Sequence, residues 1–148
     1  MLPGLKDLGF AYSDGWAGPP ANARHVFECY PYTTIAGVTE LGYDVERPRY
    51  KRKPKAMNAA TFRPLRAAAC DELIGRMITL ADADPPLLLF SHPASAALVL
   101  EPSPVANESD YMHREDLLDA LLCAWTASFW RRHGADRCQV LGGSLHTW

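Results

Sequence analysis

A chain of 148 residues, nearly half of them hydrophobic and a tenth aromatic, suits one domain with a buried core and is too apolar for a disordered chain. No run approaches the roughly 20 apolar residues of a membrane span. The net charge of −2 hides an asymmetry, because six of the fifteen lysines and arginines fall between Arg47 and Lys55 with no acid among them, leaving nine basic against seventeen acidic side chains elsewhere.

Residues 1–24 are rich in Gly, Pro, Ala and Asn and read as a loop-rich lead-in. The opening residues lack the basic start and long apolar core of a signal peptide. His25 to Tyr30 alternates and is rich in β-formers, and Pro31 closes it, so a strand is predicted there. Glu28 sits on that strand between Phe27 and Cys29, a charge that needs either water or a partner. A short helix is predicted over Thr33–Leu41, ended by Gly42. The basic run R-P-R-Y-K-R-K-P-K is interrupted by Pro48 and Pro54 and reads as a loop. Helical spacing returns from Thr61 to Leu80 through Leu65, Ala69, Leu73 and Met77. Leu87 to Phe90 reads as a short buried strand or a linker, and the apolar run from Pro93 to Leu100 as a brief helix. A last short strand is predicted at Cys138–Leu141. The four cysteines, Cys29, Cys70, Cys123 and Cys138, lack C-x-x-C spacing and read as reduced thiols of a cytoplasmic protein.

The longest predicted element runs from Ser109 to His133. Leu117, Leu118, Leu121, Leu122, Trp125 and Phe129 recur at three-and-four spacing, acids crowd the first turns, and Arg131, Arg132 and His133 complement the dipole at the end. Asp116 and Asp119 are three apart and lie side by side, roughly 60° apart around the axis. Ala120, Cys123, Ala124 and Ala127 are small and suit close packing. Two like charges beside such a face repel unless a cation lies between them. The plainer alternative is that the acids only complement the helix dipole or face solvent.

F-E-C-Y-P at 27–31, Y-K-R-K-P at 50–54 and H-R-E-D-L-L-D-A-L-L-C-A-W-T-A at 113–127 resemble, in that order, the predicted RNase H-like nucleases of domain-of-unknown-function family 429. The likeness spans about Arg24 to Gly142. It implies an α/β fold of RNase H-like type, in which acids on a central strand and a late helix hold a divalent metal. Carried onto this chain, Glu28 matches the strand acid and Asp116 and Asp119 the helix pair, as catalytic ligands of Mg²⁺ or Mn²⁺. Such nucleases begin with an aspartate-bearing strand, a hairpin and a helix. Only 24 residues precede the strand at 25–30, and although Asp14 in F-A-Y-S-D-G-W resembles that first motif, so short a stretch cannot hold the missing elements. The chain therefore reads as a C-terminal portion of the fold, lacking its N-terminal strands; the edge left open is closed by self-association, which is expected, by residues 1–24 folding over it, or by a separate N-terminal half.

The basic loop has two readings of its own. Lys51, Arg52 and Lys53 can hold a phosphate backbone while Tyr50 stacks on a base; alternatively the loop is a solvated counterweight to an acidic body. His113 is a candidate for phosphate contact. Two functions follow: a metal-dependent hydrolase of nucleic-acid phosphodiesters, or a non-catalytic module that binds nucleic acid or protein. DNA and RNA are not distinguished by these residues.

Overall fold

The computed structural model describes residues 3–16, 18, 22–43 and 46–138. The fold is mixed α/β and mostly helical, and its described residues hold one two-stranded parallel sheet. The described residues form two compact units, one from 30 to 125 and the other of those up to 29 with those from 126 onward. No helix of the described residues is long and apolar enough to cross a membrane.

The unit of residues 30–125 is built on helices. α2 (Pro31–Gly37) starts at a proline that needs no N–H partner and buries Ile35. A 3-10 turn at Thr39–Leu41 follows, and Gly42 ends it with φ +66. At that point the Arg76 guanidinium donates to the carbonyls of Leu41 and Gly42 at 2.8 and 3.0 Å. The left-handed backbone calls for glycine at position 42, where a Cβ would meet only the movable end of Arg76, at 3.0 Å.

α3 (Ala59–Met77) is capped by Asn58, whose side chain accepts from the Thr61 amide at 2.8 Å. Its buried stripe is Phe62, Arg66, Cys70, Leu73 and Met77. Leu73, Met77 and Leu80 of the expected stripe are buried, whereas Leu65 points outward and is 54% exposed. Leu87 and Leu89 are buried in a non-strand segment that ends in a 3-10 turn at Leu89–Ser91. α4 (Pro93–Leu100) is the expected brief helix.

α5 (Glu108–His133) is the predicted long helix. Tyr111, Leu118, Leu122 and Trp125 form its buried stripe, while Ala120 and Ala124 are exposed, so the small residues do not make a close-packed face. Arg114, only 7% exposed, reaches from α5 to the end of α4. Its Nη2 donates to the carbonyls of Leu98 and Glu101, each at 2.6 Å, and its Nε to Ser103 Oγ at 2.7 Å. Ser103 in turn donates its hydroxyl to Asp71 on α3 at 2.6 Å. One guanidinium thus satisfies two carbonyls at the C-terminal end of α4.

The second unit contains α1 (Pro3–Asp7), β1 (Phe10–Tyr12), β2 (Arg24–Val26) and the end of α5 from Thr126. The expected loop-rich lead-in therefore holds a helical turn and a strand. β1 and β2 run parallel with Phe10 opposite Arg24 and Tyr12 opposite Val26. The strand expected to continue to Tyr30 stops at Val26 because its partner ends. After Tyr12, Ser13 Oγ accepts from the Gly15 amide and Asp14 Oδ1 from the Trp16 amide, which turns β1 out of the ladder. Phe27 packs on Trp130 with ring centroids 4.9 Å apart. The strand predicted at Cys138–Leu141 lies outside the described residues apart from Cys138.

Replacing Arg114 with leucine would take this donor from the Leu98 and Glu101 carbonyls and from the Ser103 hydroxyl oxygen, leaving Ser103 bonded to Asp71 alone. The expected loss is about 3 kcal/mol, read as a lower urea midpoint; an unchanged midpoint would show that the α4 end finds other partners.

Candidate nucleic-acid interface

Burial alternates along residues 47–50 of the loop at 46–55. Pro48 and Tyr50 are buried, whereas Arg47 and Arg49 between and before them are exposed. Tyr50 is the anchor. It has no exposed surface, and its ring stacks on Tyr32 with centroids 5.4 Å apart and planes at 22°. Its backbone carbonyl accepts the Tyr111 hydroxyl at 2.6 Å. Its own hydroxyl donates to Asp119 Oδ1 at 3.1 Å. Burial and then the neighbouring Asp119 push the Tyr50 phenol well above its usual pKa, so it stays a donor.

Lys51 completes the anchor. Its ammonium is paired and hydrogen-bonded with Asp119 Oδ2 and lies 3.7 Å from Glu115 Oε1. It also sits over the rings of Tyr32 and Tyr50, at 5.8 and 5.4 Å from their centroids. The cation that a carboxylate pair on α5 requires is thus supplied by the chain itself. The pair is Glu115 with Asp119, four apart on one helix face, whereas Asp116 is exposed. Glu115 was not among the expected site residues. Its signal was present, since stepping back from Trp125 through Leu122 and Leu118 puts Glu115 and Tyr111 on the same buried stripe.

The remaining expected residues are placed as follows. Arg52 is exposed, and Lys53 is exposed with its ammonium donating to the Met57 carbonyl at 2.7 Å. His113 is exposed on α5. Glu28 is exposed in the other unit, two residues past the end of β2. Tyr50, expected to stack on a base, is spent in the core instead. Beside it, Tyr32, Glu46, Arg47, Pro48, Arg49 and Arg52 line an open hollow of about 520 Å³. Within either unit, no three His, Cys, Asp or Glu side chains of the described residues gather as a metal-holding group.

The helix pair does not suit a divalent ion in this arrangement. Asp119 has one oxygen committed to Tyr50 and the other to Lys51, and Asp116 is turned to solvent. The Glu115 carboxyl is held above its ordinary value of 4.5, first by burial, against the pull of Lys51 and with a further push from Asp119. A carboxyl with a raised pKa in the fold contributes stability that is complete below the unfolded value and lost as pH rises through the folded one. Glu115→Gln is therefore expected to match the parent's stability below pH 4.5 and to exceed it at pH 7. Thermal melts across that range would show it; a variant less stable at pH 7 would mean that Lys51 needs the Glu115 charge more than burial opposes it.

A family described as "Protein of unknown function (DUF429)" matches residues 5–144, starting ahead of β1 and well before the stretch whose motifs carry the resemblance. No curated protein and no solved structure matches the chain. With both strands, the basic loop and α5 inside a match of nearly full length, the chain belongs to the DUF429 family.

Proposed function

We propose that this chain binds nucleic acid through the 46–55 loop, displayed on a frame of RNase H-like type. The observation that carries the proposal is the loop's unbalanced charge. Arg47, Arg49, Arg52 and Lys55 are exposed, and none of them forms a salt bridge with an acid among the described residues. Three of these arginines share the hollow with a single acid, Glu46. Cations held close together without acids repel one another and keep their counterions, and a phosphate backbone relieves both conditions. Lys51, by contrast, is neutralised, so it serves to hold the loop.

Binding of a labelled single-stranded oligonucleotide, followed by anisotropy at several salt concentrations, tests the proposal. Replacing Arg47, Arg49 and Arg52 together with alanine is expected to weaken binding and to flatten the slope of log K against log salt by about 2. The melting temperature should barely move, because exposed charges contribute little to stability. A parent protein with no salt-dependent binding would end this reading.

A second reading, metal-dependent phosphodiester hydrolysis, is favoured by the strand register. β1 and β2 are parallel neighbours with Tyr12 opposite Val26, and each is followed two residues later by an acid, Asp14 and Glu28. RNase H-like nucleases carry an aspartate on their first strand, which this chain resembles at Asp14. Carboxylates just past the ends of two paired strands are hard donors of the kind that hold Mg²⁺ or Mn²⁺. Such an ion, when bound, activates water and stabilises the leaving oxygen. On this reading Asp14 and Glu28, rather than the helix pair, are the ligands. Cleavage of the oligonucleotide in Mn²⁺ should then be lost in both Asp14→Asn and Glu28→Gln. Binding without cleavage in Mn²⁺ leaves the non-catalytic module standing.

A further inference from the structure

Resting on the nucleic-acid reading of the 46–55 loop, we infer that the ligand is a single strand, one of whose bases stacks on Tyr30. Three tyrosines form a ladder from the core to the surface. Tyr50 is fully buried and stacks on the half-buried Tyr32; Tyr30 lies next, its centroid 5.9 Å from that of Tyr32 at 36°, and is 62% exposed. The ladder borders the basic hollow, because Tyr32 lines it with Arg47, Arg49 and Arg52 and its hydroxyl donates to the Pro48 carbonyl at 3.3 Å.

The outer ring has a fixed base. Tyr30 caps α2 with extended backbone, and its carbonyl accepts from the Thr33 amide at 2.9 Å and from the Thr33 hydroxyl at 2.7 Å. A large aromatic ring held this way, one side against Tyr32 and most of its surface in water, is a stacking platform. Arginines alone would grip any phosphate backbone. In a duplex the faces of the bases are covered by their neighbours, whereas an unpaired strand offers bases to an aromatic ring while its phosphates reach the cations alongside. The combination selects unstacked bases joined by phosphodiesters, a chemistry common to single-stranded DNA and RNA.

The test compares a short oligo-dT, an oligo-rU and a duplex of equal length by fluorescence anisotropy. The parent is expected to prefer a single strand to the duplex, with the two oligonucleotide arms telling DNA from RNA. Tyr30→Ala should weaken single-strand binding about fivefold or more and leave duplex binding unchanged. Tyr30→Phe, which keeps the ring, should bind as the parent does, and melting curves of both variants confirm the fold. If Tyr30→Ala binds single strands as the parent does while the triple arginine variant does not, the stacking inference fails and the loop reading survives. If the parent binds none of the three probes, both fail together.

Discussion

The Tyr111 side chain is the contact on which the unit of residues 30–125 depends. It is fully buried on α5, and its hydroxyl donates to the Tyr50 carbonyl at 2.6 Å and to the Arg66 carbonyl at 3.3 Å. One donor thereby joins α5, the basic loop and α3. The Arg66 guanidinium lies 3.8 Å above the same ring and grips Glu108, in the first turn of α5, through both nitrogens at 2.7 and 2.8 Å. That fork holds the Glu108 carboxyl below its usual range. A buried guanidinium is costly unless paired, and here an aromatic face and a carboxylate share the compensation.

This arrangement separates the loop's charges into two kinds. Lys51 is drawn onto α5, where Asp119 and Glu115 neutralise it and Tyr50 and Tyr32 cover it. Arg49 and Arg52, on either side of Tyr50 and Lys51, are exposed. A run of cations that looks uniform in composition is therefore divided by geometry into one fastener and a set of presented charges.

The long helix was legible because its buried residues repeat at a period that few other arrangements share, and Gly42 marked the end of a short helical segment for the same kind of local reason. Other features depended on tertiary contact. Tyr50 stands amid Lys and Arg, where an aromatic residue reads as solvent-facing; only the buried Tyr111 and Tyr32 that receive it reveal its place. β1 is three residues long and embedded in Gly- and Pro-rich sequence, too short for periodicity to detect. Leu65 misled because the expected stripe counted hydrophobic residues alone, whereas α3 buries Arg66 in its place. The helix acids were found, but their grouping was not: Asp119 pairs with Glu115 across one turn instead of with Asp116, since Glu115 shares the apolar stripe and Lys51 reaches it there.

The fastening at Tyr50 and Lys51 also bears on the entropy of recognition. A ten-residue basic segment free between its ends would have to surrender backbone and side-chain freedom on meeting a polyanion, and that ordering is subtracted from the affinity. Pinned at its middle, the segment becomes two arms of four residues, Glu46 to Arg49 and Arg52 to Lys55, each tethered close to its cations. Much of the ordering is completed when the chain folds, because Tyr50 enters the core with the helices around it. On the proposed nucleic-acid reading, binding would draw on charges already in position, and its rate would be set by diffusion and electrostatic attraction more than by the search of a mobile loop.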